Sequence, residues 1–277
     1  MEEEYTFEDV REKAKKLYEY LVKDINQYIE KEHKQIKTLV FALDTNLRNI
    51  PLAALVYNYD NASGKVEYLI DKYAIALAPR LDIPYPDVLQ GKKLNILAAG
   101  LAEPDPEVNE RDKRKFSKLR YANAELDVLK NLEKINSRVS VTKLADDDFK
   151  TKQFQSEINN VAFQILHLAT HGEFSSSPEN TFILAYDQVI SIKEVGDVFR
   201  TQLQSQLEPI ELLVLSACET AAGDKRATLG ISGVGVRAGV RSAIASLWTL
   251  DDKISVEFTK KLYEQLLKPG LTKAQAL

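Results

Sequence analysis

From Thr6 to about Lys34 the apolar residues Val10, Ala14, Leu17, Leu21, Ile25 and Tyr28 recur at intervals of three or four, which predicts one long amphipathic helix. Thr6 and Asp9 have the spacing of a capping box at its start. An apolar stripe gains nothing by facing water, so this helix must dock on the rest of the chain or on an element upstream of it. Residues 1–36 are therefore read as a docking or linking segment and 37–277 as the main domain.

Beyond Lys37 the pattern changes to short apolar runs divided by turn chemistry and helical stretches. Residues 39–43 and 94–99 read as buried strands, and 52–59 with 66–70 as a hairpin closed by a turn containing Gly64. Residues 101–120 hold Pro104, Pro106 and the basic cluster Arg111, Lys113, Arg114, Lys115, Lys118 and Arg120, which marks an exposed loop. Helices are expected over 122–135 and 149–158, with a strand at 139–142 between them. The second half alternates more cleanly: strand 161–169, hairpin 182–192, helix 193–203, strand 210–217, helix 229–239 and strand 242–247. Asp251 and Asp252 open a last amphipathic helix, which Pro269 and Gly270 stop. This order predicts an α/β fold, a mostly parallel sheet flanked by helices. Residues 273–277 look like the first turn of a further helix, so an additional C-terminal element is expected.

Composition narrows the class. The 277 residues carry 37 Lys+Arg against 41 Asp+Glu, a net charge of −4 that argues against a nucleic-acid partner. With 44% hydrophobic and 28% charged residues the chain is an ordinary globular one, which excludes disorder and fibres. Cys218 is the only cysteine, so no intramolecular disulfide and no multi-cysteine zinc site is possible, and a reducing compartment suits it. The N-terminus is acidic where a secretory signal is basic, and no run of about 18 apolar residues occurs. A cytoplasmic protein with no membrane partner is expected.

Reactive residue types fall at two strand ends beside small residues. The run 165–169 leads to His171 and then Gly172, and the run 213–217 leads to Cys218. In open α/β sheets ligands bind at the carboxyl ends of strands. If the two strands are parallel neighbours, both side chains emerge at one edge, and an imidazole there can take the thiol proton and later protonate a leaving group. Cys218 follows His171 by 47 positions, near the spacing of about 50 in caspases. A lone cysteine at a strand end is also a small core hydrophobe, and a histidine there also merely ends a strand. Gly230, Gly233, Gly235 and Gly239 lack phosphate-loop spacing and read as close helix packing.

The segments 167–172, 213–223, 230–233 and 246–252, with the early motif at 47–55, together resemble the CHAT domain, a bacterial caspase-like module often found behind TPR repeats. The resemblance runs from about residue 37 to the end. It implies a caspase-hemoglobinase-like fold and a cysteine endopeptidase acting on protein or peptide substrates, latent until a TPR or other sensor region or a partner activates it. No cofactor is expected and no metal ligand is assigned, since no acidic loop has EF-hand spacing, although calcium regulates some caspase-like relatives. The alternative is a silent peptidase-like scaffold that binds partners. Carried over, Cys218 is the nucleophile, His171 the general base and then acid, and the backbone N–H groups of Gly172 and Cys218 form the oxyanion hole, where a glycine leaves room for the substrate carbonyl. His167 is then a core residue or one supporting the site. Trp248, Asp251, Asp252 and Asp224 are candidates for the substrate pocket, with Glu219 as an alternative; an aspartate opening a helix is also an ordinary cap. Ser216 is not acidic, although some relatives that prefer a basic P1 residue carry an acid there. Lys225-Arg226 lies where caspases carry a cleavable linker.

Overall fold

The computed structural model describes residues 5–44, 47–78, 89, 91, 93–174, 181–204, 209–216, 219–220, 240–246 and 252–277. The chain divides into two compact units, Met1–Ile83 with Leu271–Leu277, and Pro84–Gly270.

In the first unit, α1 (Phe7–Leu21) and α2 (Lys23–Glu32) replace the single long helix, and the predicted capping box of Thr6 and Asp9 is present. The break is one residue wide: Val22 leaves helical geometry, yet its N–H still donates to the Tyr18 carbonyl and its own carbonyl accepts from Asn26. The buried face only partly matches the expected one, since Leu17 and Leu21 pack against the core as expected. Tyr18, Val22, Asn26 and Ile29 face inward, and Val10, Ile25 and Tyr28 are exposed. Counting apolar letters misses this because an asparagine holds a core position, donating to the Tyr18 hydroxyl at 2.7 Å and accepting from the Tyr73 hydroxyl at 2.8 Å. These helices pack with β1 (Thr38–Phe41), the hairpin β2 (Val56–Asp60) and β3 (Lys65–Tyr68), α3 (Leu69–Lys72) and β4 (Ala74–Leu77), so the stripe docks on this chain. Strands β1 and β4 pair in parallel. Gly64, at φ +69°, closes the hairpin in the left-handed region that glycine enters without steric penalty.

The second unit contains β5 (Leu94–Gly100), α4 (Pro106–Arg111), α5 (Ala122–Ile135), β6 (Val139–Ala145), α6 (Thr151–Asn160), β7 (Ile165–Ala169), β8 (Gly172–Phe174), β9 (Phe182–Leu184), β10 (Val189–Ser191), α7 (Ile192–Gln204), β11 (Leu212–Ser216), β12 (Glu219–Thr220), β13 (Ala243–Ala245) and α8 (Asp252–Leu266). A last short helix, α9 (Lys273–Ala276), belongs to the first unit. Five strands form an all-parallel sheet in the order β13-β11-β7-β5-β6, as alternating strands and crossover helices require. A smaller sheet, β10-β9-β8-β12, continues from the ends of β7 and β11. The stretch 101–120 is only partly loop, because Asp105 caps α4 and places Pro106 in its first turn. Three of the six residues of its basic cluster are ion-paired, Arg111 with Glu107, Arg114 with Asp112 and Lys118 with Glu103.

The two faces of the central sheet differ chemically. Leu97, Ala99, Leu166, Leu168, Leu213 and Leu215 pack with Phe154, Ile158 and Phe199 of α6 and α7 and with Phe149 and Phe163, an all-hydrocarbon layer in which each buried Phe contributes about 2 kcal/mol. Alternation turns His167 and Ser216 to the other face, toward α5 and α8. On that face a Cβ on Gly100 would stand 3.0 Å from both the Ala169 carbonyl oxygen and Leu126 Cδ1. Gly100→Ala is expected to destabilise the unit by about 1–3 kcal/mol, read as a lowered thermal midpoint, since a neighbouring strand's backbone yields little; an unchanged midpoint would refute the close approach.

Candidate active site

Strands β7 and β11 are parallel neighbours, as the two-strand argument required, with Ser216 opposite Ala169 in the final pair. The ladder resumes where β12 meets β8, with Glu219 opposite Glu173 and Thr220 opposite Phe174. His171 occupies the interval between these pairs on one chain segment. Cys218 falls in the matching interval of the sequence and lies outside the described residues, as do Trp248, Asp251, Asp224, Lys225, Arg226 and the helix expected over 229–239. Gly172 begins β8 and sits opposite Ile183 of β9, and Asp252 is the first residue of α8. The structure thus brings His171 and Gly172 to the strand end expected of them.

His171 is half-buried and held on several sides. Its Nε2 lies 2.6 Å from the Ser117 carbonyl oxygen, and its own carbonyl accepts from Leu184 N–H. A carbonyl only accepts, so Nε2 carries a proton and the neutral ring offers Nδ1 as its basic nitrogen. Phe116 stands against the ring, 5.6 Å between centroids, and packs edge-on against Phe182 at 5.9 Å. The Arg114 guanidinium covers Phe182 at 3.9 Å, and Arg114 grips Asp112 with Nε and Nη2, which holds the Asp112 carboxyl below its usual range. Asn109 clamps the backbone of Phe116 from both sides, accepting from its N–H at 2.8 Å and donating to its carbonyl at 3.2 Å.

One layer down lies a second cluster. Glu125, in the first turn of α5 and 1% exposed, accepts from His167 Nε2 at 2.8 Å and Thr259 Oγ1 at 2.6 Å on one oxygen, and from Ser216 Oγ and Ser255 Oγ, both at 2.9 Å, on the other. Burial alone raises a carboxyl; here the hydrogen bond and charge of His167, with Thr259 and Ser216, outweigh it and bring Glu125 down to about 2. His167 Nδ1 meets the Tyr263 hydroxyl at 3.2 Å, and burial first, then the Glu125 charge, pushes that phenol well above its usual range.

His167 is therefore a buried core residue, one of the two roles its sequence position suggested, with a partner at each ring nitrogen. Sequence reasoning missed Glu125, although the signal was present: a glutamate three after Ala122 and four before Leu129 stands on the apolar face of its helix. It also missed Ser255, Thr259 and Tyr263, a hydroxyl stripe at four-residue spacing. The Ser117 carbonyl left no local signal, because the contact spans 54 positions.

The central strand of the parallel sheet leads to a tethered histidine, and the neighbouring strand leads in sequence to Cys218, an α/β arrangement consistent with a caspase-like class. The chain belongs to the CHAT domain family, whose family model matches residues 11–277; CHAT domains are caspase-like and related to cysteine peptidases. Among curated proteins none matches. The crystal structure of protein GSU0716 from Geobacter sulfurreducens is similar over 63% of this chain and 66% of its own, at 14% identity and a TM-score of 0.33. Among the described residues no helix is long and apolar enough to cross a membrane.

Proposed function

We propose that the protein is a cysteine endopeptidase that cleaves protein substrates through Cys218 and His171. The supporting observation is the interrupted ladder between β7–β8 and β11–β12, because paired residues flank the stretch of sequence that contains His171 on one segment and Cys218 on the other. Nδ1 of His171 takes the Cys218 proton, and the thiolate attacks the substrate carbonyl carbon. The resulting oxyanion is met by the N–H groups of Gly172 and Cys218. The imidazolium then protonates the departing amine as the C–N bond breaks, leaving a thioester. Water, deprotonated by His171, attacks the thioester, and the thiol recovers its proton as the acid product leaves. Trp248, Asp251, Asp252 and Asp224 are assigned to the substrate cleft, and an upstream TPR or other sensor region, or a partner protein, to activation. Family membership and the tethered histidine support the peptidase reading itself.

A peptide library spanning all P1 residues, read by mass spectrometry beside Cys218→Ala and His171→Ala, tests the reading. Cleavage lost in both variants supports it, whereas absence of any His171-dependent reactivity at Cys218 toward iodoacetamide overturns it in favour of a binding scaffold. The Ser117 carbonyl depends on its loop, so Asn109→Ala is expected to lower kcat about tenfold with KM little changed, a loss of orientation rather than of binding. Equal kcat in steady-state assays would detach that loop from the chemistry.

A further inference from the structure

The face of the sheet covered by α5 and α8 carries a carboxylate where the opposite face carries hydrocarbon. Burying a carboxylate is expensive unless its lone pairs are met, and replacing buried ionic groups by well-packed hydrocarbon is often neutral or stabilising. Glu125 shares its helix face with Ala122 and Leu129, so a leucine in its place would serve packing alone. What hydrocarbon does not supply is direction, because only hydrogen bonds fix both the distance and the angle between elements.

The donors identify what is being directed. Ser216 is the last residue of β11, two before Cys218, and His167 lies in β7, four before His171. Ser255 and Thr259 stand one turn apart on α8, and Tyr263, a further turn along, backs His167 from the other ring nitrogen. The Ser216 and Ser255 hydroxyls share one carboxylate oxygen while His167 and Thr259 share the other. Each oxygen therefore joins a strand to α8, one the strand leading to the cysteine and the other the strand leading to the histidine.

We propose that Glu125 is a positioning residue for the Cys218–His171 pair, its carboxylate fixing the relative height and rotation of β7 and β11 through His167 and Ser216, with α8 as the brace. This rests on the peptidase reading above. Displacing a reacting group by about 1 Å costs on the order of 100-fold in rate, so a small rotation of either strand suffices for a large effect.

The test is the rate of Cys218 alkylation by iodoacetamide in the full chain, with peptide turnover beside it. All variants are held well below their unfolding transitions and checked by circular dichroism. Glutamine keeps the shape of Glu125 but offers one acceptor oxygen and two N–H donors, so two of the four incoming donors lose their acceptor. Glu125→Gln is expected to slow alkylation at neutral pH at least about tenfold and to lower kcat about 10–100-fold while KM moves less than about threefold. Ser216→Ala removes the hydrogen bond from β11 to Glu125 and is expected to slow alkylation about threefold or more; it carries the test where Glu125→Gln does not fold. Leu129→Ala, buried on the same helix but outside the network, lowers the thermal midpoint and alkylates at the wild-type rate, separating positioning from stability.

Wild-type alkylation rates in Glu125→Gln and Ser216→Ala, with wild type still dependent on His171, overturn the positioning role and leave the peptidase reading standing. A wild type that alkylates no faster than His171→Ala has no activated thiol, and the peptidase reading and the positioning role then fall together.

Discussion

Cys218→Ala is expected to leave no peptide turnover, and His171→Ala to lower kcat by about 10²–10⁴-fold, the range a positioned general base supplies. The two losses differ in kind. Without Cys218 there is no nucleophile, whereas without His171 the thiol persists but only a few per cent is thiolate at neutral pH. The residual activity of His171→Ala should therefore rise with pH toward the ordinary thiol value of about 8.5, in place of a bell-shaped profile reporting the pair. Steady-state kinetics between pH 5 and 9 check this. A His171→Ala variant that retains both the wild-type rate and its profile would remove the imidazole from the mechanism.

Acid stability is the second large effect. Glu125 falls from 4.5 in the unfolded chain to about 2 in the fold, so between those values the unfolded chain binds the extra proton. Stability from this group is fully present above about pH 5 and is lost as pH falls through 4.5 toward 2. The amount is about 3 kcal/mol. The groups facing it are His167 from β7, Ser216 from β11, and Ser255 and Thr259 from α8, with Tyr263 behind His167. Glu125→Gln removes the titrating group, so it should lie about 3 kcal/mol below wild type at pH 7 and converge on wild type near pH 2, since other carboxyls titrate alike in both. Guanidinium unfolding at pH 7, 4 and 2.5 measures the gap, and a gap that does not change with pH refutes the assignment.

The sheet was readable because buried parallel strands are continuous apolar runs, and the runs at 94–99, 161–169 and 210–217 fall on β5, β7 and β11. Helix α5 matches its expected bounds, and α8 matches to within a residue. Where polar residues occupy core positions, the same rule of counting apolar letters misleads. It misplaced part of the buried stripe: Leu17 and Leu21 pack inward as expected, but Asn26, buried between two tyrosine hydroxyls, takes the core position where Ile25 was expected. It overlooked Glu125 for the same reason. The histidine's position at a strand end was visible, but its tether at Ser117 was not, since a backbone carbonyl has no letter of its own.

The Glu125 network also orders events during synthesis. Its donors lie 42, 91, 130 and 134 residues downstream, so α5 leaves the ribosome carrying a glutamate whose partners do not yet exist. The face of α5 that carries it closes over a satisfied carboxylate only after α8 has been made. A nascent chain halted before residue 255 holds β7 and β11 but lacks the brace between them. Completion of this network therefore waits on α8, made after both of the strands it ties together.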